Sequence, residues 1–436
     1  MKRDSTKAQF VADVMAKAQL LAERLWQHVV EEGNAGRADE WLVEATGEMQ
    51  RAALGQALTA YSEKCEPKVR CTCKEEGAFV FRERRRTKVH TVVPGRDASV
   101  VLRYFQCARC SAGAFPAARA MRLCPEGFTE CLRELGVRAA VLEPYGGAAD
   151  MMEQFARVRL SPDKLTRLVE QAGEDASRFL QHAREANPIA EPDSRVIVGV
   201  DGGFLFVDGR WQEVKVAVFF EDSDLATISR NRRALVRREV IAVRGSTDDL
   251  IAKIQLRLGA SAQRLRFVVL SDGAHWIRRV ADECFPQRTE ILDWYHLSQH
   301  VHEAARVVYA QDETLAKEFA TTQLDLLDQG LGESALNALL FVERGIRGRA
   351  ARDALNSLRS YITDNRDRID YPAYREAGLP IGSGCVESAM NHVLQQRMKR
   401  AGMRWRSRGA DHMIALRALF RSGDQWDRFL QHRRAA

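Results

Sequence analysis

Three acidic residues occupy positions in this sequence from which carboxylates could act together. Asp201 ends an apolar run that begins at Arg195, and Asp272 follows a second run at 265–270. Glu387 lies in the first turn of a helix predicted after a glycine-rich loop. An aspartate after a strand is more often a turn residue, and the helix dipole alone favours a glutamate at a helix start. It is the occurrence of all three in one chain that predicts a shared site.

Carboxylates that converge need cations between them. Two unit charges about 4 Å apart repel by roughly 4 kcal/mol at an effective dielectric near 20. Oxygen ligands suit Mg²⁺ or Mn²⁺ rather than zinc. A pair of such ions activates a water or a 3′-hydroxyl and stabilises the leaving oxygen in an in-line displacement at phosphorus. The sequence therefore predicts phosphoryl transfer with two Mg²⁺ or Mn²⁺ ions held by Asp201, Asp272 and Glu387.

The segments around the first two acids predict a mixed sheet. The run that ends at Asp201 is followed by the turn signal at 208–209 and by alternating apolar residues at 214–220, which indicates an antiparallel meander. Apolar strands predicted at 265–270 and 289–292 then alternate with helices, as expected of an RNase H-like sheet. Neighbouring strand ends in such a sheet would place the two aspartates side by side.

Length and composition predict several domains. A chain of 436 residues is too long for one ordinary core, and its 45% apolar residues are typical of a folded protein. We predict an α+β and α/β multidomain fold, in which an RNase H-like mixed-sheet core with a helical insertion follows helical and zinc-ribbon-like DNA-binding domains. The predicted segments are an N-terminal helical domain at 1–64, a zinc-ribbon-like β domain at 65–125, a helical region at 126–190, the first part of the core at 191–297, a helical insertion at 298–378, and a C-terminal catalytic helix with a basic tail at 379–436.

Cysteines crowd the second of these segments, since seven of the nine fall within residues 65–131. Four of them bracket two β-rich runs joined by a Pro94-Gly95 turn. These four are Cys71, Cys73, Cys107 and Cys110. Cysteine pairs around a hairpin are typical of a zinc ribbon, in which four thiolates hold a tetrahedral ion. The Cys71–Cys73 spacing is one residue short, so Cys65 is an alternative ligand, and structural cysteines without metal are the other interpretation.

Helical patterns dominate the first and third predicted domains. Apolar residues recur at helical spacing from about 6 to 31, and a second helix is predicted over about 38 to 62, for packing or dimerisation. Two helices are predicted between 143 and 173, with Ser161 as the N-cap of the second and Pro162 at its first position. Such a pair would serve as a helix-turn-helix that binds DNA, although helical hairpins of other kinds are common.

Five stretches of the sequence carry a likeness to a known family. They are 200–203 (VDGG), 270–277 (LSDGAHWI), 291–297 (ILDWYHL), 382–389 (GSGCVESA) and 397–405 (RMKRAGMRW). Together with the cysteine-bracketed hairpin, these stretches resemble the Kra-type family of bacterial insertion-sequence transposases, which is related to the Mutator group. The likeness spans about residues 65 to 420.

This resemblance implies a role for each matching residue. Asp201, Asp272 and Glu387 would be the metal-binding acids of a DDE transposase. Asp293 and His296 would form the short motif that the group carries after its last strand, near the active site. There His296 would contact DNA or hold the end of the strand. The resemblance also implies a helical insertion before the glutamate, which the predicted helical segment fits.

The charge distribution is consistent with a nucleic-acid partner. The formal net charge is +7, and basic runs occur at 82–88, 230–238 and 397–408. Clustered cations are typical of surfaces that bind phosphate backbones, although any single cluster is more often a solvated face. The last run follows Glu387. Its predicted DNA contacts are Arg397, Lys399, Arg400, Arg404 and Trp405.

The predicted function is that of a DNA transposase, which cleaves at terminal inverted repeats and transfers the 3′ ends to target double-stranded DNA. Two ends need two active sites, which predicts a homodimer or a larger assembly. The alternatives are an RNase H-like nuclease without strand transfer and a DNA-binding regulator without catalysis. A zinc hydrolase is disfavoured because, of the neighbouring histidines, only His296 and His300 share a helical face. The lack of a long apolar run predicts a cytoplasmic, nucleoid-associated protein with no membrane partner.

Overall fold

The computed structural model describes residues 2–68, 70–73, 77–92, 97–123, 127–182, 189–229, 232–382 and 384–435. Within those ranges, the side chains at 2–6, 37, 182, 227–229, 232–234 and 385–387 lie outside the description. The backbone divides into two compact units, Met1–Val169 and Glu170–Ala436, and both contain helices and strands. In the part of the chain that is described, no helix is both long and apolar enough to cross a membrane.

The first unit consists of a helical hairpin, a three-stranded sheet and the helices that follow it. Its elements are α1 (Lys2–Trp26), α2 (Ala38–Ser62), β1 (Phe79–Val89), β2 (Ala98–Cys107), β3 (Gly113–Ala114), α3 (Pro116–Ala120), α4 (Glu130–Leu142), α5 (Tyr145–Ala156) and the start of α6 (Pro162–His182). The boundary between the two units falls within α6. The N–H of Lys164 donates to Ser161 Oγ at 3.3 Å, which confirms the predicted N-cap and the start of this helix at Pro162.

β1 and β2 form the antiparallel hairpin that the sequence predicts. The predicted turn at Pro94-Gly95 lies outside the described residues. α2 covers the other edge of β2, because the N–H of Val101 donates to Thr59 Oγ1 at 3.0 Å and the N–H of Arg103 donates to Ser62 Oγ at 2.9 Å. Both bonds satisfy backbone donors on a strand edge that would otherwise be open. The hairpin is therefore fixed against a helix on its β2 side.

The second unit is built around a larger sheet. After α6 its elements are β4 (Arg195–Val207), β5 (Arg210–Glu221), β6 (Leu225–Ser229), β7 (Arg232–Leu235), β8 (Glu239–Arg244), α7 (Thr247–Leu258), β9 (Arg266–Ser271), α8 (His275–Cys284), β10 (Arg288–Leu292), α9 (Trp294–Val308), α10 (Glu313–Asp328), α11 (Gly332–Gly345), α12 (Arg349–Asp364), α13 (Tyr371–Glu376), α14 (Gly384–Met390), α15 (Gln396–Met398), α16 (Ser407–Phe420) and α17 (Gln425–Ala435).

The five strands of this sheet lie in the order β8-β5-β4-β9-β10. β8, β5 and β4 pair antiparallel, whereas β4, β9 and β10 pair parallel, and β6 with β7 forms a separate two-stranded sheet. The predicted meander followed by parallel strands is therefore confirmed. Asp208 and Gly209 form the predicted turn between β4 and β5, with φ angles of 49° and 78°. Glycine tolerates such an angle without the steric cost that a Cβ brings.

One apolar core of the second unit lies between the sheet and the helices α7 and α8. Alternate residues of β4, Val196, Val198 and Val200, pack in one apolar cluster with residues of α7 and α8. α7 begins at the predicted capping box, in which Ser246 and Asp249 exchange side-chain and backbone hydrogen bonds. Since successive residues of a strand face opposite sides, the odd-numbered positions of β4 face away from these helices.

Between β10 and α14 the chain forms helices α9 to α13. The span 298–378, all of which is described, is helical and contains no strand, as the sequence predicts. It ends in a loop that leads directly into α14.

A buried arginine supports the turn after α14. Residues Asn391–Gln395 form a π-helical turn, and Arg417 of α16 donates to the carbonyl oxygens of Val393, at 2.6 Å, and of His392. Burial and, to a smaller extent, the charges of neighbouring arginines together lower the pKa of Arg417 to about 9. π-helical turns interrupt the regular hydrogen-bond ladder of a helix, so an external donor stabilises them.

We expect Arg417→Leu to lower the free energy of unfolding by roughly 2–4 kcal/mol, because two carbonyl groups lose their donor in the interior. Urea denaturation followed by circular dichroism measures this. Arg428→Leu is the matched control: Arg428 pairs with Asp424 near the surface, and we expect a change within about 1 kcal/mol. Equal losses in the two variants would contradict the role given to Arg417.

Candidate active site and cysteine cluster

Two of the predicted acids lie at equivalent positions on neighbouring strands. β4 and β9 pair in parallel up to Gly199 and Leu270. Asp201 and Asp272 each follow two residues later, so the register places them side by side on the face opposite to α7 and α8. Adjacent strands are about 4.8 Å apart. The Oδ1 atom of Asp201 accepts the N–H of Gly202 at 2.6 Å, and that of Asp272 accepts the N–H of Ala274 at 2.9 Å.

Asp293 continues this row onto the third parallel strand. β9 and β10 pair up to Ser271 and Leu292, and the N–H of Asp293 donates to the Ser271 carbonyl at 2.8 Å. The carboxylate of Asp293 is fully buried and accepts the N–H groups of Tyr295 at 2.6 Å and His296 at 2.9 Å. Asp293 is therefore the N-cap of α9, which fixes the direction in which that helix leaves the strand.

His296 lies within the electrostatic field of all three aspartates. Its Nδ1 atom is 3.6 Å from Asp293 Oδ1. The interaction with Asp293 raises the pKa of His296 against the opposing effect of burial, and the charges of Asp272 and Asp201 raise it further. The structure thus brings together four of the predicted site residues, namely Asp201, Asp272, Asp293 and His296.

The helix that carries Glu387 packs on the same face as these acids. A Cβ added to Gly203 would lie 2.7 Å from Met390 Cε, so α14 approaches β4 closely at a position two residues after Asp201. Glu387 precedes Met390 by three residues, a spacing that puts both positions on one side of a helix. The backbone of Glu387 belongs to α14, while its side chain lies outside the described residues.

The loop before α14 is tied to the same region. The N–H of Trp294, the residue after Asp293, donates to the carbonyl of Ile381 at 2.9 Å. This bond joins the end of β10 to the chain just ahead of the glutamate helix. The acids at 201, 272 and 293 thus come from neighbouring strands, close to the helix that carries Glu387.

Three tyrosines of the insertion hold the strand ends that carry Asp272 and Asp293. The hydroxyl of Tyr361 donates to the backbone carbonyl of Asp272 at 2.6 Å, and the ring of Tyr361 lies 4.1 Å from that of His300, centroid to centroid. The hydroxyl of Tyr371 donates to the carbonyl of Leu292 at 3.1 Å, and that of Tyr374 to the carbonyl of Glu290 at 3.2 Å.

No motif or spacing marks these tyrosines in the sequence. Their only signal is chemical, because a tyrosine that packs its ring inside a protein needs a hydrogen-bond partner for its hydroxyl. The partner is a main-chain carbonyl in each case, and burial raises the pKa of all three hydroxyls. They therefore remain protonated donors near neutral pH.

In the first unit, the four predicted cysteines converge. All four Sγ atoms lie within 4.8 Å of one another, with Cys71 and Cys110 3.5 Å apart and Cys73 and Cys107 4.0 Å apart. A tetrahedral zinc with bonds of about 2.3 Å would separate its sulfur ligands by about 3.8 Å. The four cysteines could therefore hold a metal ion such as zinc, despite the short Cys71–Cys73 spacing.

The surroundings of this cysteine cluster also fit a metal centre. Backbone N–H groups of Cys110 and Arg109 lower the pKa of Cys107 to about 7, which favours the thiolate form that binds metals. A Cβ at Gly77 would lie 2.5 Å from Cys107 Sγ, so this position leaves room only for glycine. Cys65, the alternative ligand, packs instead against the apolar cluster around Val89.

The basic segment after Glu387 divides into buried and exposed residues. Arg397 is only 1% exposed, with its guanidinium 5.4 Å from the centre of the Trp405 ring. It is thus placed in the interior, as a packing residue, and not on a surface that DNA could reach. Lys399, Arg400 and Arg404 are exposed. Trp405 is half-buried, and its indole N–H donates to the Met398 carbonyl at 2.9 Å.

A family model matches residues 75–434 of the chain and thus covers the whole carboxylate site. The chain belongs to the Uncharacterised protein family (UPF0236). Of the cysteine cluster, the match includes Cys107 and Cys110 but begins after Cys71 and Cys73. No curated protein matches the sequence.

If the cysteine cluster of this UPF0236 protein holds zinc, the metal content depends on Cys107. We expect about one zinc per chain in the purified protein and a large loss in Cys107→Ser, because three ligands bind the ion less tightly than four. Plasma mass spectrometry gives the metal content. Cys131→Ser is the matched control, since Cys131 is exposed and outside the cluster. A zinc-free wild type, or equal zinc in both variants, would count against a metal centre.

Tyr361→Phe keeps the ring packing but removes the hydrogen bond to the Asp272 carbonyl. If the carboxylates hold Mn²⁺, we expect this UPF0236 variant to bind the ion roughly fivefold more weakly, since one hydrogen bond contributes about 1 kcal/mol to holding the end of β9. Titration calorimetry measures the affinity. Tyr309→Phe serves as control, because Tyr309 packs its ring on Phe319 and its hydroxyl bonds to no described residue. An unchanged Mn²⁺ affinity in Tyr361→Phe would show that the Tyr361 hydroxyl does not position Asp272.

Proposed function

We propose that this protein is a metal-dependent DNA transposase. The observation that carries the proposal is the placement of Asp201 and Asp272 in one register on neighbouring parallel strands, with α14 packed on the same face at Gly203. This arrangement brings Asp201, Asp272 and the helix that carries Glu387 together, and the three carboxylates would hold divalent ions. Such a set suits phosphoryl transfer, in which positioning and charge neutralisation supply most of the catalysis.

Two further observations support the proposal. The strand order, with an antiparallel meander joined to parallel strands, is that expected of an RNase H-like core. The stretches that resemble Kra-type transposases are far apart in sequence, yet 200–203, 270–277 and 291–297 begin on the adjacent strands β4, β9 and β10, and the loop before 382–389 bonds to Trp294. Convergence in space is expected of motifs that share one active site and is not required of unrelated turns.

The residues of the site have separable roles in this mechanism. Bound Mg²⁺ ions would supply activation of the attacking oxygen and stabilisation of the leaving oxygen. Asp201 would hold its ligand atoms from within β4 and Asp272 from the end of β9, while Glu387 would supply the third carboxylate from α14. Asp293 fixes the start of α9 and thereby orients His296 toward the first two acids. From there the imidazole would contact a phosphate of the DNA or the leaving strand.

DNA binding is assigned to surfaces of both units. The exposed cations Lys399, Arg400 and Arg404 follow the glutamate helix and would neutralise phosphates close to the reacting strand. We propose a zinc-ribbon-like role for the cysteine-bracketed hairpin of the first unit, in recognising the ends of the element. Because a transposition event acts on two DNA ends, the working form would be a homodimer or a larger assembly.

The test is cleavage of labelled DNA that carries the element's own ends, in the presence of Mg²⁺. We expect Asp201→Ala, Asp272→Ala and Glu387→Ala each to reduce cleavage and joining by at least a thousandfold, because each removes a ligand that positions the metal ions. Asp427→Ala is the matched control, since Asp427 is exposed and forms no ion pair with any described residue.

The outcomes separate the competing functions. Metal-dependent cleavage and joining that are lost in all three variants support the transposase. Cleavage without joining assigns a nuclease on the same core, and binding of the ends without chemistry in any version assigns a DNA-binding regulator. Activity that survives Asp272→Ala would move the second ligand to Asp293.

A further inference from the structure

The hairpin of β4 and β5 extends beyond the rest of the sheet and exposes two large aromatic side chains. β9 stops pairing with β4 at Gly199, so beyond this point β4 pairs with β5 and forms a single bridge with Trp405 at Val207. Phe204 is 52% exposed and Trp211 is 61% exposed. Two such side chains on one short hairpin expose apolar surface that ordinary packing would bury, which is typical of a binding surface.

These two residues lie on one face of the hairpin with Phe206. Phe206 pairs with Trp211 across the two strands, and Phe204 is two residues before Phe206, so all three side chains face the same side. The rings of Phe206 and Trp211 meet edge to face, with centroids 5.6 Å apart. We call these three residues the aromatic strip. It lies on the opposite face of β4 from Asp201.

Cations from the basic segment lie beside the aromatic strip. Lys399 Nζ is 6.0 Å from the centre of the Trp211 ring, and the guanidinium of Arg404 is 5.8 Å from that of Phe206. Both cations are exposed, and neither forms an ion pair with a carboxylate among the described residues. Exposed, unpaired cations over aromatic rings are available to a ligand that carries negative charge.

The main chain fixes these cations relative to the hairpin. The N–H of Trp405 donates to the Phe206 carbonyl at 3.0 Å, and the N–H of Asp208 donates to the Trp405 carbonyl at 2.9 Å. The basic segment is therefore bonded to the hairpin through its backbone. Trp405, with its indole N–H already bonded to Met398, serves to hold this junction and leaves ring stacking to the exposed aromatics.

We propose that the aromatic strip, with Lys399 and Arg404, binds unpaired nucleotides of the DNA strand that leaves the carboxylate site. This proposal rests on the proposed function, because its ligand is the DNA on which that site acts. Bases inside a duplex are stacked on one another, so only unpaired bases offer free faces to Phe204 and Trp211, while the cations neutralise their phosphates. Phe204 is three residues from Asp201, about 10 Å along the strand, a distance that one or two nucleotides span.

The decisive experiment compares single-stranded with duplex DNA. Fluorescence anisotropy would measure the affinity of the full chain for a labelled 15-nucleotide thymidine strand and for a 15-base-pair duplex, without divalent ions so that no cleavage occurs. We expect Trp211→Ala and Phe204→Ala each to weaken single-strand binding about fivefold or more, as stacked bases do when an aromatic partner is removed. Duplex affinity should stay within about twofold.

Two controls sharpen this comparison. Trp26→Ala removes a tryptophan of similar exposure, 63%, from α1 in the other unit, and we expect it to leave both affinities unchanged. Lys399→Ala and Arg404→Ala should each reduce the salt dependence of single-strand binding by about 0.7 in the slope of log affinity against log salt, as expected for one lost phosphate contact. The aromatics are exposed, so thermal denaturation should show the same stability for each variant as for wild type.

The results separate this inference from the proposed function. Equal weakening toward single strand and duplex, or no weakening in Trp211→Ala, would overturn the stacking site while the carboxylates remain active in cleavage. A wild-type protein that binds neither DNA form and cleaves none would instead remove the proposed function. If Trp211→Ala changed the oligomeric state without changing single-strand affinity, the strip would be a contact between copies of the chain.

Discussion

Parallel pairing of β4, β9 and β10 in a fixed register determines where the acids of the second unit can lie. Val196 pairs with Phe267 and Val198 pairs with Val269, and all four side chains are buried against α7 and α8. A slip of one residue in β9 would turn this apolar set to the opposite face and send Asp272 into the core. Burying an unpaired charge there costs several kcal/mol, so the apolar pattern of the strands also protects the geometry of the acids.

The helices and the insertion of the second unit pack against the strands in this register. Gly203 lets α14 approach β4, and the buried Arg417 supports the turn that follows α14. The insertion leaves from Asp293 and returns to the same strand ends through tyrosine hydroxyls, before the loop bonds back to Trp294. The insertion thus begins and ends at the same part of the sheet. The entropic cost of bringing its two ends together grows only slowly with its length.

Much of the local structure could be predicted because it follows from short-range patterns in the sequence. Apolar runs ended by an aspartate marked β4 and β9, the capping box at Ser246 marked α7, and the cysteine pairs marked the cluster of the first unit. Contacts that depend on the whole fold could not be predicted. Arg397 has the same charge pattern as its exposed neighbours, and only the packing against Trp405 shows that it is buried. The exposure of Trp211 likewise follows from where β8 stops pairing with β5, at Val214, a fact absent from the sequence around Trp211.

The hydrogen bonds that join the insertion to the ends of β9 and β10 have an evolutionary consequence. Tyr361, Tyr371 and Tyr374 all donate to main-chain carbonyls, which every amino acid carries. A change of side chain at the receiving positions leaves these bonds intact, so no compensating change in the tyrosines is selected. Residue pairs of this kind would not co-vary among relatives, even though they join the insertion to the acids. A contact map inferred from co-variation would therefore show the insertion as more loosely attached than it is.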